Sequence, residues 1–141
     1  MPLWPKQNPR PGIDEYGRPS IWYLAANGDL AGVIAAVATG SDPNTTDDSG
    51  FTPLHVAVQN GHVDVIQYLI SVSGNANSID KHGNSPLWTA MLSSPRDKKC
   101  EIIPLLVAAG SDPDHKNIHG KSPRDIAVTM GNGLEEFLNR T

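Results

Sequence analysis

A single cysteine, Cys100, stands in a chain of 141 residues, which excludes an internal disulfide framework. Aromatic residues make up only 6%, so one large globular core is not the natural architecture. The 11 Lys and Arg are outnumbered by 15 Asp and Glu, for a net charge of −4. That balance argues against a nucleic-acid binder, which needs a basic stripe. No apolar run approaches the length of a bilayer span, so no membrane partner is expected. The opening MPLWPKQNPRPG has four prolines and no continuous apolar stretch, and does not read as a secretory signal. The expectation is one soluble cytoplasmic domain with a modest core. The acidity leaves room for a basic protein partner, since complementary charge speeds encounter and suppresses wrong partners.

What the chain does contain is a period. GFTPLHVA, from Gly50, returns as GNSPLWTA from Gly83, 33 residues on, and as GKSPRDIA from Gly120, a further 37 on. Stepping back 33 residues from Gly50 reaches Gly17, in GRPSIWYL. A second marker agrees: GSDPN at Gly40 and GSDPD at Gly110 lie 70 residues apart, the same total displacement. Two independent markers with one spacing define a repeat protein, and the period overrides other fold reasoning.

Each unit is physically consistent. Thr52 can cap a helix by accepting a backbone N–H, and Pro53 suits the first helical position, where its missing N–H costs nothing. Ser85-Pro86 and Ser122-Pro123 repeat the device. Asn60-Gly61 ends that helix, glycine readily taking the left-handed conformation required there. A second helix follows, with Val63, Ile66, Leu69 and Ile70 on one face. Leu30, Val33, Ala36 and Val37 have the same spacing in the first unit, and Cys100, Ile103, Leu106 and Val107 in the third. Two short helices leave apolar surface that neighbouring copies cover.

Thr52-Pro53-Leu54-His55-Val56-Ala57, followed by Gly61-His62, resembles the ankyrin repeat, whose period and T-P-L-H-x-A motif these are. The resemblance implies an all-α solenoid of four helix-turn-helix units, 14–46, 47–79, 80–116 and 117–141, joined by β-hairpin-like turns. Residues 1–13 form a Pro-rich N-terminal segment; Trp4 and Ile13 either fold over the first unit or remain disordered. Several departures are visible. Pro19-Ser20 reverses the Thr-Pro order, so Ser20 would cap one residue late. Trp22 and Trp88 replace the histidine that in this family supports the turn by hydrogen bonding, a role open to Trp only through its indole N–H. Pro104 requires that the third unit's second helix start later than Asp97 or kink. Four extra residues within Ser93–Cys100 lengthen the inter-helix loop, either as a solvated loop or as a basic finger carrying Lys98 and Lys99. In the short last unit, Leu134, Phe137 and Leu138 give α-helical inner contacts while Glu135, Glu136, Asn139 and Arg140 keep the other face wet, as a terminal repeat needs.

No catalytic constellation emerges. His55 and His62 match structural positions of the motif. His115 and His119 have the i, i+4 spacing of a metal pair, but in a turn segment that spacing means little. Asp112-x-Asp114 begins like a calcium loop, yet Asn117 stands where Gly is needed and Pro123 where Glu is needed. Cys100 reads as a buried, inert thiol. The chain is expected to be no enzyme and to need no cofactor or metal.

Recognition is the remaining reading. In proteins of this resemblance the hairpin tips and the exposed side of each first helix form a concave protein-binding surface. The period places there Tyr16, Arg18, Asp48, Phe51, Lys81, His82, Asn84, Ile118, His119 and Lys121 from the tips. Gln59, Asn60, Trp88 and Leu92 come from the helices, and Lys98 and Lys99 from the insertion. Tyr16, Phe51 and Ile118, with Arg18, read as anchors, because aromatics and Arg dominate hot spots. The segments SPLWTAMLSS and SPRDIA are also similar in style to short bacterial ankyrin immunity proteins, which implies a dedicated inhibitor, monomeric when free, that neutralises one protein such as a basic toxin or enzyme. The alternative is a general adaptor or scaffold.

Overall fold

The computed structural model describes residues 13–14, 16–73, 75–131 and 133–139. Eight helices run through them in pairs: α1 (Ser20–Ala26) and α2 (Leu30–Ala38), α3 (Pro53–Asn60) and α4 (Val63–Ser73), α5 (Pro86–Leu92) and α6 (Lys99–Ala108), α7 (Pro123–Met130) and α8 (Glu135–Leu138). No strand is present among the described residues; Ile13 and Pro19 form one isolated antiparallel bridge. The odd-numbered helices pack in succession as one layer and the even-numbered helices as a second, each pair closed on itself. This is the expected all-α solenoid.

The helix starts follow the sequence chemistry. Thr52, Ser85 and Ser122 each accept a backbone N–H from the third helical residue, with proline at the first helical position. In α3 the motif closes on itself: Oγ1 of Thr52 accepts from the His55 N–H at 3.1 Å, while Nδ1 of His55 accepts from the Thr52 N–H at 3.2 Å. Gly61 ends α3 in the left-handed conformation, at φ 78°. Ser20 does not cap late, as its position suggests; it is already the first residue of α1, and Pro19 occupies the cap without a side-chain hydrogen bond.

Between the layers lies one continuous core. Leu54, Val58, Ile66 and Leu69 meet Leu87, Met91, Ile102, Ile103 and Leu106, all at most 3% exposed. Burying such side chains contributes roughly 1.5–3 kcal/mol each. The insertion delays α6 to Lys99, and Pro104 still falls inside it. Pro104 cannot donate to the Cys100 carbonyl one turn earlier, and Cys100 itself is exposed. Cys100 was expected inside; it is exposed because Lys99 turns inward at the start of α6, and Ile102 joins Ile103 and Leu106 in the core. No described helix is long and apolar enough to cross a membrane.

Candidate protein-recognition surface

The hairpin tips are built by one residue type that the motif comparison overlooks. Three residues before each hairpin glycine stand Asp14, Asp47, Asp80 and Asn117. The Oδ1 of each accepts two main-chain N–H groups: Tyr16 and Arg18 at 2.9 and 2.8 Å, Ser49 and Phe51 at 2.8 Å both, His82 and Asn84 at 2.8 and 3.0 Å, His119 and Lys121 at 2.9 and 3.1 Å. The same residues exchange backbone bonds across the turn, such as Asp47 N–H to the Phe51 carbonyl at 2.9 Å and Gly50 N–H to Asp47 at 3.0 Å. Asp and Asn suit this because a short side-chain oxygen can mimic a backbone turn.

These turns are tied to one another through the main chain. The Asp48 N–H donates to the Tyr16 carbonyl at 2.9 Å, Lys81 to Ser49 at 2.9 Å, and Ile118 to His82 at 3.0 Å. One backbone bond per junction, always between equivalent positions, sets the tips in register. Side chains reinforce each junction. His55 Nε2 meets the Asn84 carbonyl at 3.0 Å, and Asn117 donates to Asn84 Oδ1 at 2.9 Å. Ser94 Oγ donates to the Val58 carbonyl at 2.6 Å, and His62 Nε2 meets the Ala26 carbonyl at 2.9 Å. Buried and with its Nδ1 occupied as an acceptor, His55 has its pKa pushed below the usual histidine value by burial, against the Asn84 carbonyl and the charges of Asp80 and Asp47. His55 is thus a structural residue, as the motif implies.

The expected site residues divide by exposure. Tyr16 (54% exposed), Leu92 (48%) and Ile118 (66%) present apolar surface to solvent. Asp48, Gln59, Lys81, His82, His119 and Lys121 are exposed as well, and Asn60 is exposed while holding the Ala26 carbonyl at 2.8 Å. Arg18, Asn84, Trp88 and Lys98 are half-buried. The Arg18 guanidinium lies 4.7 Å from the ring centroids of both Tyr16 and Trp22, and its Nη1 donates to the Tyr23 hydroxyl at 3.4 Å; that hydroxyl in turn donates to Asp14. The first tip is therefore an aromatic cage closed on its own arginine. The Trp22 indole N–H is buried without a partner, so Trp22 contributes apolar area and no turn-supporting bond.

Two expectations are corrected. Phe51 is no free anchor: it is half-buried and stacked on the His55 ring, centroids 4.7 Å apart at 29°. Lys99 is no part of a solvated finger either. It is 9% exposed, and its Nζ donates to the Met91 carbonyl at 2.6 Å, satisfying an otherwise orphaned carbonyl at the end of α5. Burial, and after it the neighbouring charge of Arg96, lowers its pKa from the usual lysine value. Trp4 and Arg140 lie outside the described residues. Among the described residues no three His, Cys, Asp or Glu side chains converge as metal ligands would.

A stack of helix pairs that aligns a row of turns defines a scaffold for binding other macromolecules. The family description "Ankyrin repeats (3 copies)" matches residues 21–117, and the chain belongs to the ankyrin-repeat family. It is similar, at 37% identity over 70 residues, to an ankyrin repeat-containing protein of Schizosaccharomyces pombe, with 50% of this chain and 34% of that one covered. Human ankyrin repeat domain-containing protein 39 is 44% identical over 50 residues, covering 36% and 27%. Human protein phosphatase 1 regulatory subunit 27 is 35% identical over 74 residues, covering 52% and 48%. The chain thus spans less than half the length of each of these curated relatives. Ankyrin repeats are protein-interaction modules, and that coarser function is the chain's own.

Proposed function

We propose that the chain binds one cognate protein along the row of hairpin tips and the exposed sides of α1, α3 and α5, and that it acts as a stoichiometric inhibitor of that protein. The observation that carries this reading is the register of the tips. Three equivalent backbone bonds fix the spacing of Tyr16, His82 and Ile118, so the partner meets a rigid edge and no ordering cost falls on the backbone. Tyr16, Leu92 and Ile118 supply apolar anchors, and Lys81, Lys121 and Asp48 supply charges that set encounter rate and selectivity. Such an edge would bury on the order of 800 Å² per side. A basic toxin or enzyme is the proposed target class, and the role is that of an immunity-type protein.

A second reading, the general adaptor, is favoured by the relatives, in several of which the matched repeats form a small part of a longer chain: 8% of a human transient receptor potential channel and 22% of an Arabidopsis serine/threonine-protein kinase. The two readings separate by affinity capture with quantitative mass spectrometry, comparing the native chain with a Tyr16→Ala/Ile118→Ala variant. One dominant equimolar partner, lost in the variant, supports the inhibitor. Several substoichiometric partners support the adaptor, and equal capture by both forms removes the tips as the site.

A further inference from the structure

The odd-numbered helices start at the tips, and at their far ends the three junctions between units close in different ways. Between the first and second units, Asn60 donates to the Ala26 carbonyl at 2.8 Å and His62 Nε2 meets it at 2.9 Å. Between the second and third, Ser94 Oγ donates to the Val58 carbonyl at 2.6 Å, and Pro95 packs where a Cβ on Gly61 would strike its ring. Between the third and fourth, Met130 stands ten residues after its hairpin glycine, the place of Asn60 in the second unit, and a thioether donates no hydrogen bond. A cleft of about 460 Å³ lies there instead, lined by Arg96, Lys99, Cys100, Met130 and Leu134. Its walls come from both units: Arg96 from the insertion, Lys99 and Cys100 from the start of α6, Met130 and Leu134 from either side of the α7–α8 turn. It is therefore part of an internal junction, opened by the insertion on one side and by the loss of the Asn60 hydrogen bond on the other.

The cleft has a cationic wall and an apolar one. Lys99 is 9% exposed and spends one of its three N–H donors on the Met91 carbonyl, with no described acceptor for the other two. Arg96 is exposed, and the charge that bears on Lys99 is the like charge of Arg96. The described ion pairs are those of Lys116 with Asp125 and of Arg124 with Asp114, so neither cation of the cleft has a carboxylate partner among the described residues. In a chain of net charge −4 this is a local reversal of sign. Met130 and Leu134 supply the apolar wall, and no described aromatic ring lines the cleft. We propose that the cleft binds a small aliphatic carboxylate, its head between Arg96 and Lys99 and its chain along Met130 and Leu134. The planar fork of Arg96 suits both carboxylate oxygens, while Lys99, held by the Met91 carbonyl, adds a point charge from a fixed position. The absence of a ring to stack on favours an aliphatic body, and the volume falls within the range of small-molecule sites. A bound chain would also cover Cys100, whose side chain is exposed in the same cleft. This site stands apart from the recognition edge and does not depend on it.

The chain's single thiol is a native reporter of occupancy. Octanoate slows alkylation of Cys100 by iodoacetamide, a neutral reagent, in a saturable way with a midpoint near about 1 mM, ordinary for so small a ligand. Acetate, which has the head without the chain, and octanol, which has the chain without the head, protect at least about tenfold less well. Arg96→Gln weakens the protection by octanoate at least about tenfold, whereas Lys116→Gln, which removes a cation elsewhere, leaves it unchanged. Thermal melting gives a second reading: octanoate raises the Tm of the native chain and not that of Arg96→Gln, which without ligand melts with the native chain because Arg96 is exposed. No protection at about 10 mM octanoate, equal protection by octanol, or protection and thermal shift both indifferent to Arg96→Gln each overturns the proposal.

Discussion

Replacing Asp80 by alanine removes the acceptor for two main-chain N–H groups, those of His82 at 2.8 Å and Asn84 at 3.0 Å. The Asn84 amide is part-buried, so water replaces its partner poorly; the His82 amide is more exposed. At about 1 kcal/mol net for each bond, the loss comes to about 2 kcal/mol. The turn also anchors both neighbours, because Lys81 donates to Ser49 and the Asn84 carbonyl receives His55. A domain of this size shifts by about 3–5 °C per kcal/mol, so Asp80→Ala should melt about 6–10 °C below the native chain. Asp80→Asn retains the oxygen and copies Asn117 of the last unit, and it should stay within about 0.5 kcal/mol. Urea denaturation monitored by circular dichroism, with calorimetry alongside, measures both. A loss below about 0.5 kcal/mol for alanine, or an asparagine variant as unstable as the alanine one, would refute the assignment of the turn's stability to this acceptor.

Other consequences follow from single contacts. Because the unfolded chain takes up a proton at His55 near the usual value of 6.5 and the folded chain does so only at lower pH, the unfolded state binds more protons in between. Stability should be full above that value, decline as pH falls from it toward the folded pKa, and lose this component of its slope in His55→Gln, as read by urea titrations between pH 8 and pH 5. Ser94→Ala deletes the hydrogen bond to the Val58 carbonyl, which keeps only the Gly61 N–H, and should cost about 1 kcal/mol in the same assay. Pro104→Ala restores a donor to the Cys100 carbonyl inside α6 and should stabilise by about 1 kcal/mol in the same assay, the net worth of one hydrogen bond.

The architecture was legible because its punctuation is conformationally demanding. Glycine at positive φ and proline after Thr or Ser can be few other things, and their spacing survives drift at the positions between. The turn-building acid was equally periodic, at Asp14, Asp47, Asp80 and Asn117, and a search for Asp or Asn three residues before each glycine finds it. The third unit misled because its insertion moves the start of α6. Lys99 and not Cys100 then faces inward, held by a carbonyl that no pattern of apolar residues announces. Phe51 misled for a different reason: stacking on His55 depends on the geometry of the capped first turn, while the alternation of the sequence says only that position 51 is near the surface. The exposed tips themselves are legible as places. Which partner they fit is not written in folding rules, which leave those side chains free.

The bonds that set the interval between successive tips join main-chain groups, with an amide at one position and a carbonyl at the next. The ruling of the recognition edge is consequently indifferent to the letters written on it. Residues 16, 49, 82 and 119 can be exchanged together, in any combination that spares the acids, glycines and capped helix starts, without altering the interval at which they are displayed. A collection of such variants would differ in what it grips and share one spacing, so that new specificities could be drawn from this chain as from a printed form with its blanks already ruled.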